Sequence, residues 1–202
     1  MDHRIDAILT AWFGTPDESP EAVAKRWFVR DPGFDESLRA RLGDDHAAAG
    51  RGELDAWAVT ARGALALVIL LDQLSRNLYR DDPRAFANDA HALAIARAAL
   101  AGGLDRELDW NQRVFLVMPL MHDESAAVQA EAVAQFAGLA EAAAQAGASA
   151  EQRKQLVNTL DFAERHAAIV HRFGRFPHRN AALGRVSTAE EAEFLQQPGS
   201  SF

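Results

Sequence analysis

The sequence predicts an all-α fold of about eight helices stacked as antiparallel pairs, and three observations carry that expectation. Apolar residues recur at three- and four-residue spacing in segment after segment. The segments open on Ser, Thr or Asp and close on Gly, the ordinary start and stop signals of helices. No stretch shows the strict apolar/polar alternation of a half-buried strand. At 202 residues the chain is long enough for a sizeable core, and no linker-like stretch divides it, so a single domain over 1–202 is expected.

The elements follow in order. Ile5, Ile8, Leu9, Trp12 and Phe13 define the first helix, which Gly14 stops. Ser19-Pro20 reads as an N-cap with proline at the first helical position, opening a short helix through Trp27 and Phe28. A third helix, from about Asp35 to Ala49, has modest apolar content and is expected at the surface. From Leu54 to Tyr79 the pattern is helical around the all-apolar run Leu65–Leu71, which predicts a buried helix ending in the polar residues Asp72, Gln73, Ser75, Arg76 and Asn77. Asp72 and Arg76 stand four apart and can pair on one face. A buried helix that ends in so many polar groups points to a polar pocket. A fifth helix runs from about Ala87 to Ala101, closed by Gly102-Gly103.

The sixth starts at Asp109, and Pro119 is expected to kink or end it. His122-Asp123-Glu124-Ser125 follows, with Asp123 or Ser125 as cap of an Ala-rich helix from Ala126 to Ala146. Ser149 and Gln152 form a capping-box pattern for a long helix that Gly174 stops, and its apolar residues on two faces predict a central position in the fold. Ser187–Glu190 and Thr188–Glu191 both match capping boxes for a short last helix. Of the tryptophans at 12, 27, 57 and 110, core placement is the expectation.

The most distinctive chemistry lies between Thr159 and Leu195. From Glu164 to Arg185 there are five arginines, three histidines and one acid, in a chain of formal net charge −8. Guanidinium presents a rigid fork of donors suited to carboxylate or phosphate, so this local reversal of sign points to an anion site. The competing reading is that the arginines pair with acids elsewhere in the fold and act as internal glue.

Four segments together resemble a known family: AWFG at 11–14, LLDQLSRNLYR at 70–80, PLMHDES at 119–125 and the stretch 172–195. They are similar to the bacterial family called domain of unknown function nine-two-four, and the similarity spans nearly the whole chain. The resemblance implies a tetratricopeptide-like arrangement of stacked helical hairpins. Where that family reads DQFPRN and MHSE, this chain carries Leu74-Ser75 and Asp123, with Asp72, Arg76, Asn77, His122 and Glu124 in place. The family's activity is unknown, so the resemblance assigns no residue a role.

Composition narrows the function classes. The acidic balance argues against nucleic-acid or membrane-surface binding, no apolar run approaches a membrane span, and the first residues do not read as a signal peptide, so a soluble, cytoplasmic protein is expected. Without cysteine there is no thiol nucleophile and no Cys-ligated zinc. His122, Glu124, His166 and His171 lack diagnostic ligand spacing, so neither a metal site nor a cofactor is expected. Signatures for a nucleophile elbow, a phosphate loop or a dinucleotide fold are absent. The expected function is binding of a small anion or a carboxylate-bearing peptide by Arg76, Asn77, Arg175, His178, Arg179 and Asn180. An enzyme variant of the same reading uses His122 or His178 as acid or base with Glu124 orienting the imidazole. The alternative is a helical scaffold that docks a protein partner, its polar groups serving as structural networks.

Overall fold

Local capping chemistry sets most of the helix starts. In this computed structural model, which describes residues 2–201, α1 spans His3–Phe13 with Asp2 accepting from the Arg4 N–H. Helix α2, Pro20–Phe28, starts as expected on Ser19 with proline in the first turn. Helix α3, Pro32–Gly50, begins before the expected Asp35 because Asp31 caps the Gly33 and Phe34 amides. Proline costs nothing there, since its missing N–H has no intrahelical partner at that position.

The stretch expected as one helix from Leu54 to Tyr79 is four pieces. A 3-10 turn, Asp55–Val59, precedes α4, Ala61–Val68, which Thr60 caps. The backbone then widens into a π-helical turn over Ile69–Leu74 before α5, Ser75–Leu78. Widening changes the angle per residue, so the polar residues after Leu71 emerge on faces that a regular 3.6-residue helix does not predict. The apolar run is buried as expected, with every residue from Leu65 to Leu71 at 0% exposure. Helix α6 covers Asp89–Ala101 and α7 covers Trp110–Met121, continuing past Pro119 by two residues. Helices α8, Ala126–Gln145, and α9, Ala150–Phe173, are the longest of the second half, and α10 is Ala189–Phe194. All regular structure among the described residues is helical.

Packing separates the chain into two compact units, residues 1–80 with 84–116, and residues 81–83 with 117–202. In the first, α1, α3 and α6 pack against the rod made by α4, the π turn and α5. Trp12 is 1% exposed and meets Phe115 edge-on at 5.6 Å, while Phe115 also meets Phe13 and Trp27. The other tryptophans are only half-buried. Trp57 and Trp110 keep an outer face on which Arg4 and Arg113 stack, each 4.9 Å from the ring centroid, an arrangement that rewards partial exposure. Helix α3 is less superficial than its composition implies, since Leu38, Leu42, His46 and Ala49 are all buried.

In the second unit α8 and α9 pack along each other, joined by the short link 146–149. The Ser149–Gln152 capping box forms, and Gly174 ends α9 in the left-handed conformation at φ 68°. Leu156, Ala163, His166, Ile169 and Val170 are buried, but Phe162 is 45% exposed. Its ring lies beneath the Arg165 guanidinium at 5.1 Å, so this position of the second apolar face is half-exposed. Beyond Gly174, the fully buried Phe176 packs on Ile169 and Val170, with Phe173 and Phe194 closing the cluster.

One close approach fixes the entry to the buried rod. A Cβ added to Gly63 would lie 2.1 Å from the Trp57 carbonyl oxygen, a backbone atom that cannot rotate away. Gly63→Ala is therefore expected to destabilise by about 1–3 kcal/mol, the usual cost of overpacking, measured as a lower urea midpoint at unchanged slope.

Candidate functional site

The candidate loop begins where α9 can no longer continue. Gly174 takes the left-handed turn and Phe176 precedes Pro177, which disfavours helix at Phe176. A single 3-10 turn, Pro177–Arg179, follows. Segments without a regular ladder must satisfy their backbone through side chains. Here two carboxylates do so.

Glu124, in the turn after α7, accepts the Phe176 N–H at 2.7 Å and binds Arg185 through both guanidinium ends, at 2.7 and 3.0 Å. Arg185 returns a bond to the Phe176 carbonyl at 3.1 Å. Burial raises the carboxyl's affinity for a proton, but Arg185 and the Phe176 amide outweigh it and hold Glu124 below the usual carboxylate range. Glu191, in the first turn of α10, is bound by Arg175 Nε at 2.6 Å and Nη2 at 2.8 Å, by the Thr188 N–H at 2.7 Å and by Asn180 Nδ2 at 3.4 Å. Of the two capping boxes the sequence offered, Thr188–Glu191 is the one that forms. Arg175 bonds, above all, hold the Glu191 carboxyl near 2, and the Thr188 amide adds to them. Arg175 also donates to the Val186 carbonyl.

Between these clamps sits a cluster of nitrogen bases. His122 follows α7, His166 lies on α9, and His178 and Arg179 belong to the 3-10 turn. The His122 and His166 ring centroids are 6.2 Å apart; Phe176 meets both His166 and His178 at 5.5 Å. The buried Arg179 guanidinium stacks 4.6 Å from the Phe176 centroid and donates from Nη2 to the His122 carbonyl at 2.9 Å. His166 is 5% exposed, and its Nδ1 lies 2.7 Å from the Phe162 carbonyl oxygen. Burial first, then the charges of His122, His178 and Arg179, lower its pKa to about 3. Its ring is neutral at physiological pH.

Of the residues expected to form the site, His122, Glu124, Arg175, His178, Arg179 and Asn180 all fall within the second unit, around Phe176 and α10. Arg76 and Asn77 fall in the first. Arg76 pairs with Asp72 at 3.0 Å and with both oxygens of Asp89 at 2.9 and 3.0 Å, and Asn77 donates to Asp35, which Arg80 also clamps. His46 Nε2 and Asn88 Nδ2 meet the buried Ser75 hydroxyl, which donates to the Leu71 carbonyl. The polar end of the apolar rod is thus held by three sets of bonds, around Asp89, Asp35 and Ser75.

Glu191 and Gln129 were not singled out for the site by the sequence, His166 was weighed only as a metal ligand and Arg185 only as one of the loop's arginines. Gln129 is 1% exposed and donates to the Met121 and Asp123 carbonyls, bracing the turn that carries His122 and Glu124. Glu191 had a visible signal in its capping box; Gln129 had none. Among the described residues no group of three or more His, Cys, Asp or Glu side chains is arranged to hold a metal ion, and no helix is long and apolar enough to cross a membrane.

Fold and site together define an all-helical protein with an Arg- and His-rich loop clamped by two carboxylates. The chain belongs to a bacterial protein family of unknown function, DUF924, whose model matches residues 8–199. It is similar to the solved structure of a protein of unknown function from Agrobacterium tumefaciens, with 34% identity, 96% of this chain and 97% of that chain covered, and a TM-score of 0.78. No curated protein matches it.

Two overlapping acid windows, one opening at 6.5 and the other at 4.5, follow from this geometry. The unfolded chain protonates His166 below its ordinary 6.5 while the native ring resists to about 3, so stability is lost as the pH falls below 6.5. Glu191 stabilises fully above its ordinary 4.5 and loses that contribution as the pH falls toward 2. Urea midpoints measured from pH 8 to 2 are expected to fall in both windows; His166→Asn reduces the upper fall, leaving the part due to His46, and Glu191→Gln reduces the lower, leaving the part due to Glu124 and Asp35.

Proposed function

We propose that the second unit binds a small anionic group, foremost a carboxylate, at the cluster of His122, His178 and Arg179, with His166 behind them. The observation that carries the reading is the gathering of two imidazoles, His166 and His178, and the buried Arg179 guanidinium around one aromatic ring, Phe176, with His122 beside His166. Assembling these groups in one low-dielectric place is unfavourable for their charged forms, as the depressed pKa of His166 records. An anion offsets that cost and accepts charge-assisted hydrogen bonds. Glu124, held by Arg185 and the Phe176 amide, also lies in the field of Arg179, and Glu191 is held by Arg175 and Thr188. In this reading Arg175, Asn180 and Glu124 hold the loop in shape, and Arg76 and Asn77 serve the first unit's own network. The anion is a free small carboxylate or the carboxylate of a peptide.

A helical scaffold for a protein partner is the second reading, and one observation favours it: Arg175 and Arg185 form bidentate pairs with internal acids, as structural glue would.

Titration of acetate, propionate and inorganic phosphate into labelled protein, followed by NMR, separates the two. Saturable shifts at His122, His178 and Arg179 are expected for the carboxylates. Arg179→Lys keeps the charge but loses the planar fork and is expected to weaken binding about tenfold. A variant folded like the parent, with no saturable shift in either protein for any of the three anions, supports the scaffold instead.

A further inference from the structure

We infer that the second unit pairs with a second copy of this chain through the outward groove between α8 and α9. The two α9 helices run antiparallel and cross over Ala167 and Ala168, and Glu164 of each copy meets His171 of the other. The groove has a volume of about 390 Å³; α8 lines it with Ala126, Ala130 and Val133, and α9 with Ala167 and Ala168. Ala126, Ala130 and Ala168 are exposed, so no other part of the described chain covers it. Small side chains on both walls let a further helix enter, since the distance between helix axes falls toward about 8 Å where the residues at the contact are small. Gln129 closes the floor. It is 1% exposed, its Nε2 bonds to the Met121 and Asp123 carbonyls, and its Oε1 has no partner. Covering the groove therefore strips no water from that amide.

The ends of the groove identify the helix that enters. Glu164 stands three residues before Ala167, and His171 three residues after Ala168. Both line the groove, and neither has a hydrogen bond or ion pair among the described residues. A two-fold axis between Ala167 and Ala168 brings Glu164 of one copy level with His171 of the other, and the reverse. Symmetric homodimers require this self-complementarity, in which residue i meets j and j meets i. An imidazole keeps at least one N–H in either protonation state, so the carboxylate always has a donor to accept from. The two Glu164 carboxylates are offset by about 10 Å along the axis, at about 1.5 Å per residue, and do not oppose each other. An unrelated helix finds the same apolar walls, but a second α9 answers both ends in one register. Pairing here is independent of the anion site, since His122, His178 and Arg179 take no part in lining the groove.

Sedimentation velocity of the full chain over a range of concentrations tests this. The parent is expected to show a concentration-dependent dimer. Ala168→Arg, at an exposed helical position, puts a long charged side chain on the axis and is expected to be monomeric where the parent is dimeric, with the parent's helical circular dichroism. Glu164→Lys and His171→Glu are each expected to weaken association about tenfold, because symmetry spoils two pairs at once. Mixed in equal amounts, the two variants should restore the dimer: each new charge finds its opposite, and the two unaltered groups keep the parent pairing. A parent that stays monomeric to millimolar concentration overturns the inference. So does a dimer that the substitutions leave unchanged, or one that the mixture fails to restore.

Discussion

The irregular chain between Gly174 and Val186 keeps its shape because two acids from outside it accept its donors. Glu124 holds the Phe176 amide and Arg185, while Glu191 holds Arg175 and Asn180. Removing either carboxylate would strand buried or half-buried guanidinium groups and a backbone amide, a cost larger than the value of any single bond. Phe176 can be fully buried only while its own amide and carbonyl are satisfied by Glu124 and Arg185, and the aromatic face it presents is the floor on which Arg179 stacks. The cluster of bases depends on that floor.

The same constraint explains why the arginine surplus of the loop was visible in the sequence while its meaning was not. Five arginines against one acid between Glu164 and Arg185 reads as a positive patch because charge counting is local. Glu124 and Arg185 are separated by 61 positions, and Arg175 and Glu191 by 16. Their pairing is a property of the fold. Three of the five arginines that suggested an anion site, Arg172, Arg175 and Arg185, are thus tied to acids of the fold, Glu190, Glu191 and Glu124.

Features whose cause lies within a turn or two of chain were legible. Ser19, Ser149 and Thr188 cap the helices they were expected to cap, and Gly174 ends α9 in the left-handed conformation. The Leu65–Leu71 run is as buried as an all-apolar helix must be. What escaped was set by tertiary contacts. The π turn over Ile69–Leu74 has no sequence signal in a run apolar all round, and it shifts Ser75 and Arg76 to where His46, Asn88 and Asp89 meet them. Phe162 looked like core by its spacing and is half-exposed under Arg165, because amphipathicity tells which residues share a face but not whether a neighbour covers it.

His166 shows how burial can assign a chemical role that residue type leaves open. On sequence it and His171 both border apolar surface on the long helix, where each ring nitrogen needs a partner. Placing it on the inner side of α9, one turn after Phe162, gives its Nδ1 a carbonyl to bond and removes the water that would stabilise an imidazolium. Neutrality and tautomer then follow together. Arg179 sits in the same cluster under the opposite rule: its guanidinium keeps its charge when buried, with the Phe176 ring and the His122 carbonyl as partners.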